Sequence, residues 1–191
     1  MIKFDGYKNS NGSYCIALDN IRRFPKLMTG IPKIIDFYSC SDQLFIGTYK
    51  IDGLNIPRKS MSDYELEISN YFKTFGDYYC LPPNDSKSMH IFSSDLTAFK
   101  SYDKQKTYTI LNKMFDFFLE TNIFDPCITW EQFKAYHSDY TKPIAPDYVL
   151  NGFTEFMFSF VDSSDFIISF NPQKHIPETI ETQVKKILDI S

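Results

Sequence analysis

Glycine is scarce in this chain, with 7 among 191 residues. A Gly-rich phosphate loop or a dinucleotide fold needs glycine where backbone closes on the ligand, so both are disfavoured. The four cysteines, Cys15, Cys40, Cys80 and Cys127, form no CxxC pair. That spacing suits neither a structural zinc site nor a disulfide framework, and the residues read as free thiols of a reducing compartment. Only three histidines occur, His90, His137 and His175, and none stands four positions from another ligand type. No metal site is expected from such spacing. There is no GxSxG, and no cysteine lies beside a basic residue that would lower its pKa. No catalytic residues are therefore expected. Cys127, between Pro126 and a helix start, reads as a buried or half-buried structural thiol. No apolar run approaches the ~18 residues of a membrane helix. Met1 to Gly6 shows no charged-then-apolar leader. The chain reads as cytoplasmic, with no membrane partner.

Aromatics, by contrast, are plentiful, with 19 Phe and 13 Tyr. They concentrate in Phe153 to Pro172, FTEFMFSFVDSSDFIISFNP. Phe156, Phe158 and Phe160 share one parity, as do Phe166, Ile168 and Phe170 after Asp162-Ser163-Ser164-Asp165. Period-2 alternation around a Ser/Asp turn predicts a core hairpin. Asp162 and Asp165 are read as turn residues, whose side chains bond the turn backbone.

Around this hairpin, Ser13–Leu18, Ile34–Tyr38 and Gln43–Ile51 read as strands, the last one buried on both faces. Residues 1–12 hold a turn cluster at Asn9-Ser10-Asn11-Gly12, and Ile21–Pro32 reads as irregular. Ser60–Phe75 reads as a helix with an apolar stripe and Gly76 at its C′ stop. Met89–Ser93 is a strand candidate that Asp95–Phe99 extends or leaves. Asp103 caps a long helix, Lys104 to about Glu120. Thr129 with Gln132 is a capping-box match for a helix to about His137. Asp147–Leu150 adds a turn of helix ending at Gly152. Pro177 opens a last helix whose buried stripe is Ile180, Val184, Ile187 and Leu188. The order predicts a single α+β domain over 1–191, a mostly antiparallel sheet of about five or six strands with about four helices.

Charge is uneven. The formal net charge is −4, which disfavours nucleic acid as a partner. Residues 1–60 carry nine Lys/Arg against five Asp/Glu, whereas 114–165 carry two Lys against nine Asp/Glu. Arg22, Arg23 and Lys26 in the basic part read as a solvated cluster. In the acidic part, Asp116, Glu120, Asp125, Glu131, Asp139, Asp147 and Glu155 interleave with Phe124, Trp130, Phe133, Tyr136, Tyr140 and Tyr148. Carboxylates beside aromatics suit a hot spot for a basic protein partner. The residues expected to carry it are Asp116, Glu120, Asp125, Glu131, Tyr136, Asp139, Tyr140 and Asp147. The function expected is non-enzymatic: a bacterial immunity-type inhibitor of a basic, nuclease-like toxin. A small-ligand pocket protein is the alternative drawn from the aromatic hairpin.

Phe156, Phe158, Ser159, Phe160, Phe166 and Pro172 form a pattern similar to the C-terminal half of the YqcI/YcgG family. The strand 43–51, the helix after it and Trp130 follow the same order. The resemblance implies a haem-dependent N-hydroxylase of guanidino or amino substrates, with haem as cofactor. Two positions depart from it. The family's early FPC motif is Phe24-Pro25-Lys26 here, and its His-Pro step is Asn171-Pro172. No residue matches the family's axial ligand, and His175, three positions beyond Pro172, is the alternative.

Overall fold

A computed structural model describes residues 4–39, 41–50, 70, 74, 76–80, 96–138, 148–161 and 164–190. Eight strands and four α-helices have defined bounds, with a 3-10 turn at Ile21–Arg23 between the second and third of them: β1 Phe4–Lys8, β2 Tyr14–Leu18, α1 Pro25–Tyr38, β3 Leu44–Lys50, β4 Gly76–Cys80, β5 Leu96–Ser101, α2 Lys104–Phe117, β6 Phe118–Pro126, α3 Trp130–Ser138, β7 Thr154–Val161, β8 Asp165–Phe170 and α4 Pro177–Leu188. All eight strands join one sheet in the order β1-β2-β8-β7-β6-β3-β5-β4. Every pairing is antiparallel. The α+β expectation with about four helices holds. The sheet is wider than the five or six strands expected, because Phe4–Lys8, Gly76–Cys80 and Phe118–Pro126 also pair.

The hairpin is where the alternation puts it. Phe156 faces Phe170, Phe158 faces Ile168 and Phe160 faces Phe166 across β7 and β8. All six are buried on one side of the sheet. That face packs against α1, α2 and α4 through Leu27, Ile31, Ile34, Ile35, Leu111, Ile180, Val184 and Leu188. Ile187 is only partly buried against the same core. The opposite face carries a second, smaller core of Phe45, Phe124, Trp130, Phe133, Tyr148, Val149 and Met157. In β3, Leu44 and Ile46 enter the first core and Phe45 the second, so this central strand is buried on both faces as expected.

Two expectations fail for physical reasons. Ile34–Tyr38 is the end of a helix, not a strand, and the preceding stretch is not irregular. Pro25 stands in the first turn, where a missing N–H costs nothing, and Leu27, Ile31, Ile34 and Ile35 make one stripe at helical spacing. Pro32 lies inside this helix, and burial of the stripe outweighs the bond it removes. The helix begun at Lys104 ends at Phe117, and the chain continues directly as strand β6. That strand lies between β3 and β7, so sheet pairing overrides the apolar helical stripe that Phe118 and Leu119 would extend.

Several local signals hold. Thr129 and Gln132 bond reciprocally: the Gln132 N–H donates to Thr129 Oγ1 at 3.2 Å and the Thr129 N–H to Gln132 Oε1 at 2.8 Å. Asp103 Oδ1 accepts from the Lys106 N–H at 3.1 Å, a cap on α2. Asp165 Oδ1 accepts from Ser164 Oγ and from the Asn20 N–H, both at 2.9 Å, so this turn carboxylate also ties β8 to the end of β2. Of the Ser60–Phe75 helix only Asn70 and Thr74 are described, and both are helical. Gly76 opens β4 instead of closing that helix; a Cβ there would strike the Lys100 carbonyl oxygen of β5. Met89–Ser93 lies outside the described residues.

Candidate functional site

The residues expected to form the acidic surface are carried by several elements. Asp116 lies on α2, Glu120 and Asp125 lie in the central strand β6, and Glu131 and Tyr136 lie on α3. Glu120 stands in register with Tyr49 on one side and Val161 on the other. Asp139, Tyr140 and Asp147 lie outside the described residues. Glu131 is exposed in the first turn of α3, where a carboxylate complements the helix N-terminus.

The interleaved aromatics have a different fate. Trp130, Phe133, Phe124 and Tyr148 are all 5 % exposed or less and form the second core. Trp130 and Phe133 stack with centroids 5.7 Å apart, and Phe45 meets both at 5.2 and 5.1 Å. They therefore anchor α3 on the sheet and are not available as interface anchors. The same periodic apolar positions suit either role in a sequence, and only the sheet face opposite them decides it.

A second constellation lies at the open end of the hairpin, on the first-core side. The His175 ring sits 4.5 Å from Phe156 and 6.2 Å from Phe170. Tyr38, at the end of α1, sits 4.5 Å from the same Phe156 ring. His175 Nε2 and the Tyr38 hydroxyl are buried and have no hydrogen-bond partner among the described residues. Glu155 Oε2 stands 3.9 Å from Nε2, beyond hydrogen-bond reach. Burial pushes the Tyr38 phenol up to about 12. Tyr38 carries no sequence signal beyond its aromatic ring, and its part in this corner depends on α1 being a helix.

Haem, which the hairpin pattern implied, does not fit here. An axial histidine needs an open slot for the macrocycle against its free nitrogen. Nε2 is closed off, with aromatic rings packed on the imidazole and the Glu155 carboxylate beside it.

The thiols separate. Cys15 is buried, with Sγ 3.3 Å from Ser169 Oγ on the neighbouring strand. Cys127 is exposed, against the expectation of a buried or half-buried residue. Its N–H donates to the Phe153 carbonyl at 2.9 Å, which fixes the backbone and leaves the side chain outward. Among the described residues no group of three or more His, Cys, Asp or Glu could hold a metal ion. No helix among them is long and apolar enough to cross a membrane.

No family model, curated protein or solved structure matches this chain.

Proposed function

We propose that the chain is a non-enzymatic binding protein that holds a basic protein partner through acidic residues of the 116–147 stretch. Its sharpest form is a bacterial, cytoplasmic immunity protein that neutralises a nuclease-like toxin. A nuclease must present positive charge to phosphate, so an acidic protein surface competes for the same cleft.

The observation that carries this reading is the construction of α3. Trp130 and Phe133 lock the helix onto the sheet while Glu131 points to solvent from its first turn. A carboxylate on an immobilised helix loses little freedom when it binds, so more of its electrostatic attraction reaches the affinity. The surrounding stretch 114–165 has nine acidic residues and two lysines, which steers basic partners and repels nucleic acid.

The test uses the protein encoded beside this chain in its genome, purified and titrated against it at low and high salt. Glu131→Lys with Asp139→Lys should weaken binding roughly tenfold or more and flatten its salt dependence. Unchanged affinity in the doubly reversed variant would sink the reading, as would a neighbour protein that never binds.

A further inference from the structure

β1 is the outermost strand of the sheet and, among the described residues, pairs only with β2. Its register runs without a shift from Phe4 opposite Leu18 to Lys8 opposite Tyr14. Proteins blunt such an edge with a proline, a bulge, a lysine or a covering segment. This strand has no proline and no bulge, and Asp5, Gly6, Tyr7 and Lys8 are all exposed. Its one lysine stands at the last position. Gly6, in the middle, puts no side chain of its own at the edge. The Tyr14 hydroxyl reaches over from β2 to within 2.6 Å of where a Cβ would stand.

The two faces of this edge differ in charge. Asp5 and Tyr7 share a face, in register with Ala17 and Cys15, and Asp19 follows two positions beyond Ala17. Tyr7 is 42 % exposed, one of few large rings open to water. Burial first, then the Cys15 thiol, then Asp19 and Asp5 raise its phenol above the ordinary value. Both carboxylates therefore act on this ring. The other face carries Phe4, which Lys185 caps with Nζ 5.0 Å from the ring centre.

We propose that β1 takes an added strand, an extended segment of a partner protein with Lys or Arg at alternate positions. Main-chain hydrogen bonds along the edge attach the segment, and its alternate side chains give the specificity. A cation on the Tyr7 face meets the Asp5 and Asp19 carboxylates and the aromatic ring. A second copy of this chain is the poorer occupant. Two-fold pairing of β1 with itself keeps like faces together, so Asp5 and Asp19 of both copies crowd one face and repel. An acidic segment is opposed for the same reason. Neither carboxylate belongs to the 116–147 stretch, so this surface does not rest on the reading given above.

Short peptides test the edge, one alternating Lys with Val and one alternating Glu with Val. Binding to the intact chain is read by the backbone amide resonances and hydrogen exchange of β1. The Lys peptide should shift the amides of Asp5 to Lys8 saturably, with a dissociation constant on the order of 1 mM. It should slow exchange of the strand's outward amides several-fold, and added salt should weaken it several-fold. The Glu peptide should show no saturable shift. Asp5→Lys and Tyr7→Ser, both at exposed positions, should each weaken the Lys peptide several-fold while the β2 amides keep their exchange protection. No saturable shift with the Lys peptide, equal binding of both peptides, or a shift without slowed exchange would each overturn the proposal. So would a dimer whose β1 amides are protected without peptide, since a second copy then holds the edge. The variant with Glu131→Lys and Asp139→Lys should bind the Lys peptide as the parent does. A loss there would assign the cation to the 116–147 stretch and remove it from β1.

Discussion

The Tyr108 hydroxyl donates to Asp36 Oδ1 at 2.9 Å, joining α2 to α1 above the first core. Lys104 Nζ reaches the same oxygen at 3.1 Å, and Gln105 Nε2 reaches Oδ2 at 3.4 Å. One carboxylate therefore gathers three donors from the first two turns of α2. The helix that the sequence extends unbroken to Glu120 is held at this end, while its other end runs straight into β6.

That relationship has a pH signature at both ends of the scale. Burial alone would raise the Asp36 pKa, but the hydrogen bonds from Tyr108, Lys104 and Gln105 outweigh it and hold it below the usual carboxylate value. A lowered carboxylate contributes stability above the unfolded-state pKa of about 3.9 and loses it as pH falls through the folded value. For Tyr108, burial first and Asp36 second push the phenol up. A raised phenol contributes below the unfolded value of about 10 and loses that contribution as pH rises through the folded one. Asp36 is 39 % exposed, so solvent screening keeps its share of the effect below about 1 kcal/mol. Tyr108→Phe should cost about 0.5–1.5 kcal/mol at neutral pH. Urea unfolding at pH 3, 7 and 10 measures this, and a variant as stable as the parent at pH 7 would show that the bond contributes nothing.

Thr121 invites a stabilising change. It is 1 % exposed in the centre of the sheet, opposite Thr48 and Phe160, and its hydroxyl has no partner among the described residues. Thr121→Val keeps the shape and the branched β-carbon and removes an uncompensated polar group. The unfolding midpoint should rise, by about 1 kcal/mol of stability. A lower midpoint would mean that the hydroxyl is satisfied after all.

The reciprocal bonds of Thr129 and Gln132 give α3 a local anchor separable from its aromatic one. Thr129→Ala should lower stability by about 1 kcal/mol. Phe133→Ala, which empties part of the second core, should cost about 3–5 kcal/mol. Thermal unfolding of the two variants ranks cap against core. If the cap proved the costlier loss, the helix would not depend on the sheet as its buried rings indicate.

The hairpin, the last helix, the capping box and the α+β class were legible because each is encoded within about twenty residues. Alternation fixes which face of β7 and β8 is buried, and the register then pairs Phe156, Phe158 and Phe160 with their partners. The acidity of 114–165 was legible in the same direct way. Composition could not say that Phe124, Trp130 and Phe133 face inward, since carboxylates and rings alternate along the chain whichever side meets the sheet. Nor could it bring Tyr38 and His175, 137 positions apart in the chain, to the same Phe156 ring.

The sequence by itself determined the local elements whose hydrogen bonds and apolar periods close within one segment. Tertiary structure decided the rest. Leu27 to Ile35 became a helix despite Pro32 because its stripe had a sheet to cover. Phe118 to Pro126 became a strand because β3 and β7 offered backbone partners on both sides. Pairing energy and burial come from distant segments, so no reading confined to the local pattern contains them.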